Sequence, residues 1–282
     1  DGAGFMPDGF NHLFVVPAEG GAARQLTDGD FNHGGHSWSA DSRSIVFSAN
    51  RHDEWEYDPA DSEVFELTLA TGALRQLTSR HGPDNSPQVS PDGGRILYTG
   101  NDEHYMGYDA NELYVMDRDG SGSERLMPGF DRSVSAARWS ADGEGIWFQY
   151  TDHGVTKVAY VPALGGAEPE VRADNLGGQS LGRPYSSGQF TVTDNGSVAF
   201  TVSQASRPAD VAIMVDGEET QLTWLNEDLL GYRDLGNVAE IWWESSFDGR
   251  RIQGWLVTPP DFDPTQTYPL ILEIHGGPFA SY

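Results

Sequence analysis

The sequence contains no cysteine. That removes disulfides, thiolate metal sites and a cysteine nucleophile, and leaves open whether the protein is cytoplasmic or periplasmic. Positive charge is also scarce. Lys and Arg number 17 of 282 residues against 43 Asp and Glu, a formal net charge of −26, and Lys157 is the single lysine. A chain so acidic has no electrostatic footprint for nucleic acid or for an anionic bilayer surface. Long apolar runs are missing as well: stretches such as 45–47 and 269–272 fall far short of the roughly 20 residues that a membrane-spanning helix needs. No leader-like segment precedes Asp1, and the chain stops at Tyr282 just after an apolar run meets a glycine pair, so it reads as a fragment.

What is abundant is glycine, 34 residues, about 12% where roughly 7% is usual. With 16 prolines it implies many tight turns between short strands. The segment SWSADSRSIVFSAN at 37–50 recurs as QVSPDGGRILYTGN at 88–101 and RWSADGEGIWFQYT at 138–151, which aligns Asp41, Asp92 and Asp142. A looser copy, FTVTDNGSVAFTVS at 190–203, puts Asp194 in fourth place. Each copy reads as a strand, an Asp-bearing turn and an apolar strand, which is a hairpin. A second hairpin follows, with strands at 63–69 and 111–117 leading to Arg75-Gln76-Leu77-Thr78 and Glu124-Arg125-Leu126-Met127. Four strands in each period of about 50 residues is the pattern of β-propeller blades, which bury their two faces only against neighbours.

Blades are expected near 34–79, 84–128, 134–172 and 188–224. Residues 12–16 and 24–27 match only the second half of a repeat. The count is about four and a half blades where closed rings usually take 6 to 8, so roughly two or three are expected upstream. Open blade faces predict aggregation or rearrangement of such a piece on its own.

The period fails after Trp224. Residues 225–238 read as a connector, and AEIWWES at 239–245 with RIQGWLVT at 251–258 as a hairpin turning at Phe247-Asp248-Gly249-Arg250. Residues 270–274, apolar at four of five positions, predict a third strand covered on both sides. It runs into His275-Gly276-Gly277-Pro278. The fold class is therefore all-β: a partial propeller over 1–224, the connector over 225–238, and the first strands of a second domain over 239–282.

TolB-type blades, a short connector, the FDGRRIQGWLVTPP hairpin, a Tyr-Pro-Leu strand and HGGP in that order resemble the prolyl oligopeptidase family of serine peptidases, in the branch of acylaminoacyl peptidases and bacterial dipeptidyl peptidases. The resemblance implies that residues 239–282 are the first strands of an α/β-hydrolase domain, that Gly277, with Gly276 beside it, offers backbone N–H to an oxyanion hole, and that His275 and Pro278 hold the loop. It places the nucleophilic serine, the acid and the histidine after Tyr282, so this chain alone is expected to be inactive. The parent would be a serine exopeptidase cleaving short peptides by acyl transfer through a serine ester, with no metal and no organic cofactor; its oligomeric state stays open. The alternative is a propeller used as a binding platform, with a degenerate hydrolase tail. Gly120-Ser121-Gly122-Ser123 is no nucleophile elbow, because it falls in a blade turn.

Other clusters are weighed against plainer readings. The acidic, aromatic segment 52–58 offers Glu54 and Glu56 to a peptide's N-terminal ammonium, as acidic residues on propeller extensions do in the wider family, or is a solvated loop. His33 and His36 show no third metal ligand and read as loop histidines. Residues 117–124 resemble the start of a calcium loop, but Pro128 stands where its last acidic ligand belongs, so a turn is expected. Trp38 and Trp139 recur at equivalent positions and read as core.

Overall fold

The computed structural model describes residues 9–178, 188–274 and 276. The chain forms two compact units, one of residues 1–150 and 159–170, the other of residues 151–158 and 171–282. In the first unit β1 (Phe14–Val15) pairs with β2 (Arg24–Gln25). The strands β3 (His33–Trp38), β4 (Ser44–Ala49), β5 (Glu63–Thr68) and β6 (Leu74–Gln76) form an antiparallel sheet in sequence order. So do β7 (Asp84–Val89), β8 (Arg95–Gly100), β9 (Glu112–Asp117) and β10 (Glu124–Arg125). Then come β11 (Val134–Trp139), β12 (Gly145–Asp152) and β13 (Val155–Pro162), neighbours in a further sheet.

The middle strands are apolar on both faces, and the pleat sends alternate side chains to opposite sides. From β4, Ile45, Phe47 and Ala49 pack with Leu13, Phe65 and Leu67, whereas Val46 packs with Ile96, Tyr98 and Met116 of the next sheet. Leu97 then points the other way, into a cluster with Ile146 and Phe148. Each sheet thus covers its neighbours' faces, as stacked blades require.

Two side-chain devices repeat with the period. Ser39, Ser90 and Ser140 each donate their hydroxyl to the aspartate two residues on, at 2.7, 2.6 and 2.5 Å, and accept the N–H of Ser44, Arg95 and Gly145. The aspartates Asp41, Asp92 and Asp142 accept the N–H two residues further, so the turn is closed by side chains. In the fourth copy this work falls to Thr193 and Asn195, one residue later than the Asp194 that the alignment suggests. The second device is Gln-Leu-Thr. Thr27, Thr78 and Thr223 accept the N–H of Leu13, Val64 and Val211, and Gln25, Gln76 and Gln221 donate to the threonine carbonyls.

Within the second unit β14 (Glu170–Leu176), β15 (Phe190–Val192), β16 (Val198–Gln204), β17 (Arg207–Val215) and β18 (Glu218–Gln221) share one sheet. The expected separate fourth blade is modified here. Its first strand is only three residues long, so β16 pairs with β15 at one end and with β14, through Leu176 and Val202, at the other. A four-residue helix, α1 (Glu227–Leu230), lies in the connector, and β19 (Val238–Glu244) and β20 (Arg251–Val257) form the expected hairpin.

Two expectations fail. Residues 270–274 pair with no strand among the described residues, and Ile271 is 91% exposed. A strand apolar on both faces forms only where neighbours accept its backbone bonds, and no α/β-hydrolase layer is present among the described residues to do so. Trp38 is 48% exposed rather than core. Trp139 donates its indole N–H to Gln88 O at 3.0 Å and lies under the Arg95 guanidinium, both supplied by the preceding sheet. Among the described residues the sheet preceding Trp38 is only β1 and β2, which bring no such clamp.

Candidate functional site

Three edge strands of the first unit, β3, β7 and β11, carry a bulge at the same place, between Gly34 and Ser37, Asn85 and Gln88, and Ser135 and Arg138. Gly35, Ser86 and Ala136 there adopt φ of +54°, +52° and +49°. The bulges of β3 and β7, the end of β4 and the long β4–β5 connection at 50–62 line an open cavity of about 590 Å³. Its polar lining is mostly four asparagines and three serines, with Trp55, Pro59 and Pro83 adding apolar surface. The connection is pinned by Asn50, which donates to Asp58 O at 2.7 Å, and by Ser62, which donates to Asn85 Oδ1 at 3.2 Å.

One buried histidine, His33, faces this cavity. Arg51 donates to its Nε2 at 2.7 Å, so Nδ1 carries the proton and donates to Asn11 O at 3.0 Å. Burial, with the Arg51 charge adding to it, holds its pKa below the ordinary histidine value. The ring is neutral and both nitrogens are committed, so His33 is neither a metal ligand nor a free general base; His36 is exposed. The cavity therefore offers neutral donors and acceptors and no nucleophile paired with a base, which suits binding rather than bond cleavage.

Charge gathers beside it. Asp58 and Asp61 sit on the wall segment, but their carboxylates belong to a neighbouring cluster. His81 lies 2.8 Å from Asp58, which holds the imidazole pKa above its usual value, and Tyr105 OH donates to Asp58 at 3.5 Å. Asp61 Oδ1 accepts the Gly82 N–H at 2.9 Å. Glu63, at the start of β5, is pushed up to about 7, chiefly by burial, with Asp84 and Asp61 adding to it and the Thr78 hydroxyl and Arg80 opposing. Arg80 pairs with the buried Asp84 and, at 3.2 Å, with Asp102, over the ring of Tyr114.

Of the sequence-picked residues, Glu54 and Glu56 are exposed on either side of Trp55 and do not line the cavity. Gly276 is exposed. His275, Gly277 and Pro278 lie outside the described residues. The 117–124 segment is the expected turn, with Ser121 donating to Asp119 at 2.6 Å. Sequence reasoning missed the cluster of His52, Asp61, Glu63 and His81, whose members are scattered over thirty positions without a motif spacing. The one available signal was the density of acids and histidines between 52 and 63.

Residues 4–105 match the family described as the dipeptidyl peptidase IV (DPP IV) N-terminal region. Across all of this chain, 28% identity relates it to the uncharacterized peptidase YuxL of Bacillus subtilis, over 44% of that protein's length. Dipeptidyl-peptidase 5 of Porphyromonas gingivalis is 26% identical over 86% of this chain and 34% of its own. These matches make the chain similar to the N-terminal region of prolyl oligopeptidase-family peptidases. It spans less than half the length of these curated relatives. The same architecture is seen in the crystal structure of Pyrococcus horikoshii acylaminoacyl peptidase, with a TM-score of 0.62 and 18% identity over 90% of this chain and 38% of that one.

Proposed function

We propose that this chain is the substrate-admitting part of a serine exopeptidase that hydrolyses short peptides, of dipeptidyl- or acylaminoacyl-peptidase type. The observation that carries the reading is the uncharged, amide-rich cavity between the first two four-stranded sheets. Asparagine and serine side chains complement the N–H and C=O groups of a peptide main chain without the desolvation cost of buried charge. The relatives support the peptide class. Glu54 and Glu56, exposed beside Trp55, are proposed to meet a substrate's ammonium group.

Residues 239–282 are proposed as the start of the hydrolase domain after a propeller at 1–224 and a connector at 225–238. Gly277 and Gly276 would supply main-chain donors to the oxyanion, a contribution of about 2.7–4 kcal/mol where single donors have been removed. The serine, acid and histidine would follow Tyr282.

The test is to clone the reading frame beyond Tyr282 and assay its product on dipeptidyl and N-acyl-aminoacyl p-nitroanilides, beside the 282-residue chain. Turnover by the longer protein, abolished by a serine-directed inhibitor and absent from the shorter chain, is expected. A longer protein with no Gly-x-Ser-x-Gly and no turnover would leave the binding-platform reading in place.

A further inference from the structure

We propose that His52, Asp61 and Glu63 form a binding site for one divalent transition-metal ion of the Zn2+ class, which fastens the cavity wall to β5. The three residues offer one ligand atom each, all within 4.8 Å of one another. His52 Nε2 stands 3.1 Å from Asp61 Oδ2 and 3.9 Å from Glu63 Oε1. Ligand atoms about 2.0–2.1 Å from a tetrahedral ion lie roughly 3.3 Å apart, so only small side-chain adjustments separate this arrangement from a coordination shell. One imidazole and two carboxylates are a donor set that Zn2+ accepts, with a fourth position left for water.

A second observation comes from the repeat itself. Glu63 and Asp210 hold equivalent positions, each accepting the hydroxyl of its Gln-Leu-Thr threonine. Asp210 is closed: the Leu225 N–H reaches its Oδ1 at 2.9 Å, and Gln221 donates to its Oδ2 at 3.3 Å. Glu63 is not. Its side chain is only 3% exposed, yet Oε1 accepts no hydrogen bond among the described residues and is aimed at His52. In so buried a side chain, with Oε2 held by the Thr78 hydroxyl, the oxygen that lacks a protein donor is the one a cation would complete.

The surroundings agree in sign. Asp61, Glu63, Asp84 and Asp102 are gathered near Arg80, among the described residues the one permanent cation that pairs within the group. Asp61 keeps its other oxygen on the Gly82 N–H, an outer contact of the kind that orients a ligating carboxylate. His52 and Asp61 bracket the segment bearing Trp55, Pro59 and Ala60, so coordination would tie that wall to the strand carrying Glu63.

The experiment is calorimetric titration of the metal-stripped 282-residue chain with Zn2+ at pH 7.5, alongside His52→Ala, Glu63→Gln and His81→Ala. One Zn2+ per chain is expected. His52→Ala, at a side chain 43% exposed and so tolerant of replacement, should weaken binding by at least about 100-fold, more than loss of an outer-shell partner usually does. Glu63→Gln, which keeps the shape of the side chain, should weaken it comparably with the circular dichroism unchanged. His81→Ala should stay within threefold, because the second acidic group, Asp58 with His81, is not the proposed site. Absence of stoichiometric binding, affinity unchanged in His52→Ala, or loss confined to His81→Ala would each overturn the assignment.

Discussion

Single residues explain why a weakly similar repeat folds so regularly. The Ser-x-Asp turn replaces backbone hydrogen bonds with side-chain ones, and the donated serine hydroxyl, with the backbone N–H behind it, holds Asp41, Asp92 and Asp142 below the usual carboxylate range. Carboxyls depressed in the folded state contribute stability that is fully present above the unfolded value of about 3.9 and is lost as pH falls through the lower folded value. Ser90 is buried and makes two such bonds. Ser90→Ala should therefore cost about 1–2 kcal/mol at pH 7. The deficit should narrow below about pH 4 as Asp92 protonates. Urea denaturation of both proteins across pH 3–7 reads this directly; a deficit that is constant with pH would disconnect the serine from the carboxylate.

At the scale of elements, the bulge of β3 is the least forgiving feature. A Cβ at Gly35 would stand 2.8 Å from Ser48 Oγ and 3.0 Å from the Ser86 nitrogen, at a left-handed φ. Gly35→Ala should destabilise the chain by about 1–3 kcal/mol, measurable by chemical denaturation, and should narrow the cavity that both bulges wall. The strands and their period were legible because apolar pairs such as Ile45 with Phe47 and Ile96 with Tyr98 alternate within copies that align at Asp41, Asp92 and Asp142. The bulges were not, since Ser86 and Ala136 are not residues that advertise a left-handed backbone. The fourth copy misled by one position because Thr193 and Asn195 replace the serine and aspartate while a decoy, Asp194, lies between them. Residues 270–274 carry a valid strand pattern, but pairing is a property of neighbours and cannot be read from one segment. The cavity joins the bulges of two strands with a connection, so no local spacing announces it.

For the whole molecule, the formal charge of −26 is the dominant long-range term. Self-repulsion of that size opposes compaction and is screened by salt, with a Debye length of about 30 Å at 0.01 M and about 10 Å at 0.1 M. The melting temperature should rise by several degrees between about 10 and 150 mM NaCl and then level off, since 1 kcal/mol moves Tm by about 2–4 °C for a chain of this size. Differential scanning fluorimetry over a salt series checks it, and a flat or falling series would mean that local ion pairs outweigh the global field. The repeated threonine–acid pair carries a further lesson about ancestry. Where Met127 stands in the threonine's place, Arg125 donates to Glu112 and the sheet persists. A device that two copies carry, Thr78 with Glu63 and Thr223 with Asp210, can be absent from another without endangering the architecture, and such spare copies give selection raw material for new chemistry.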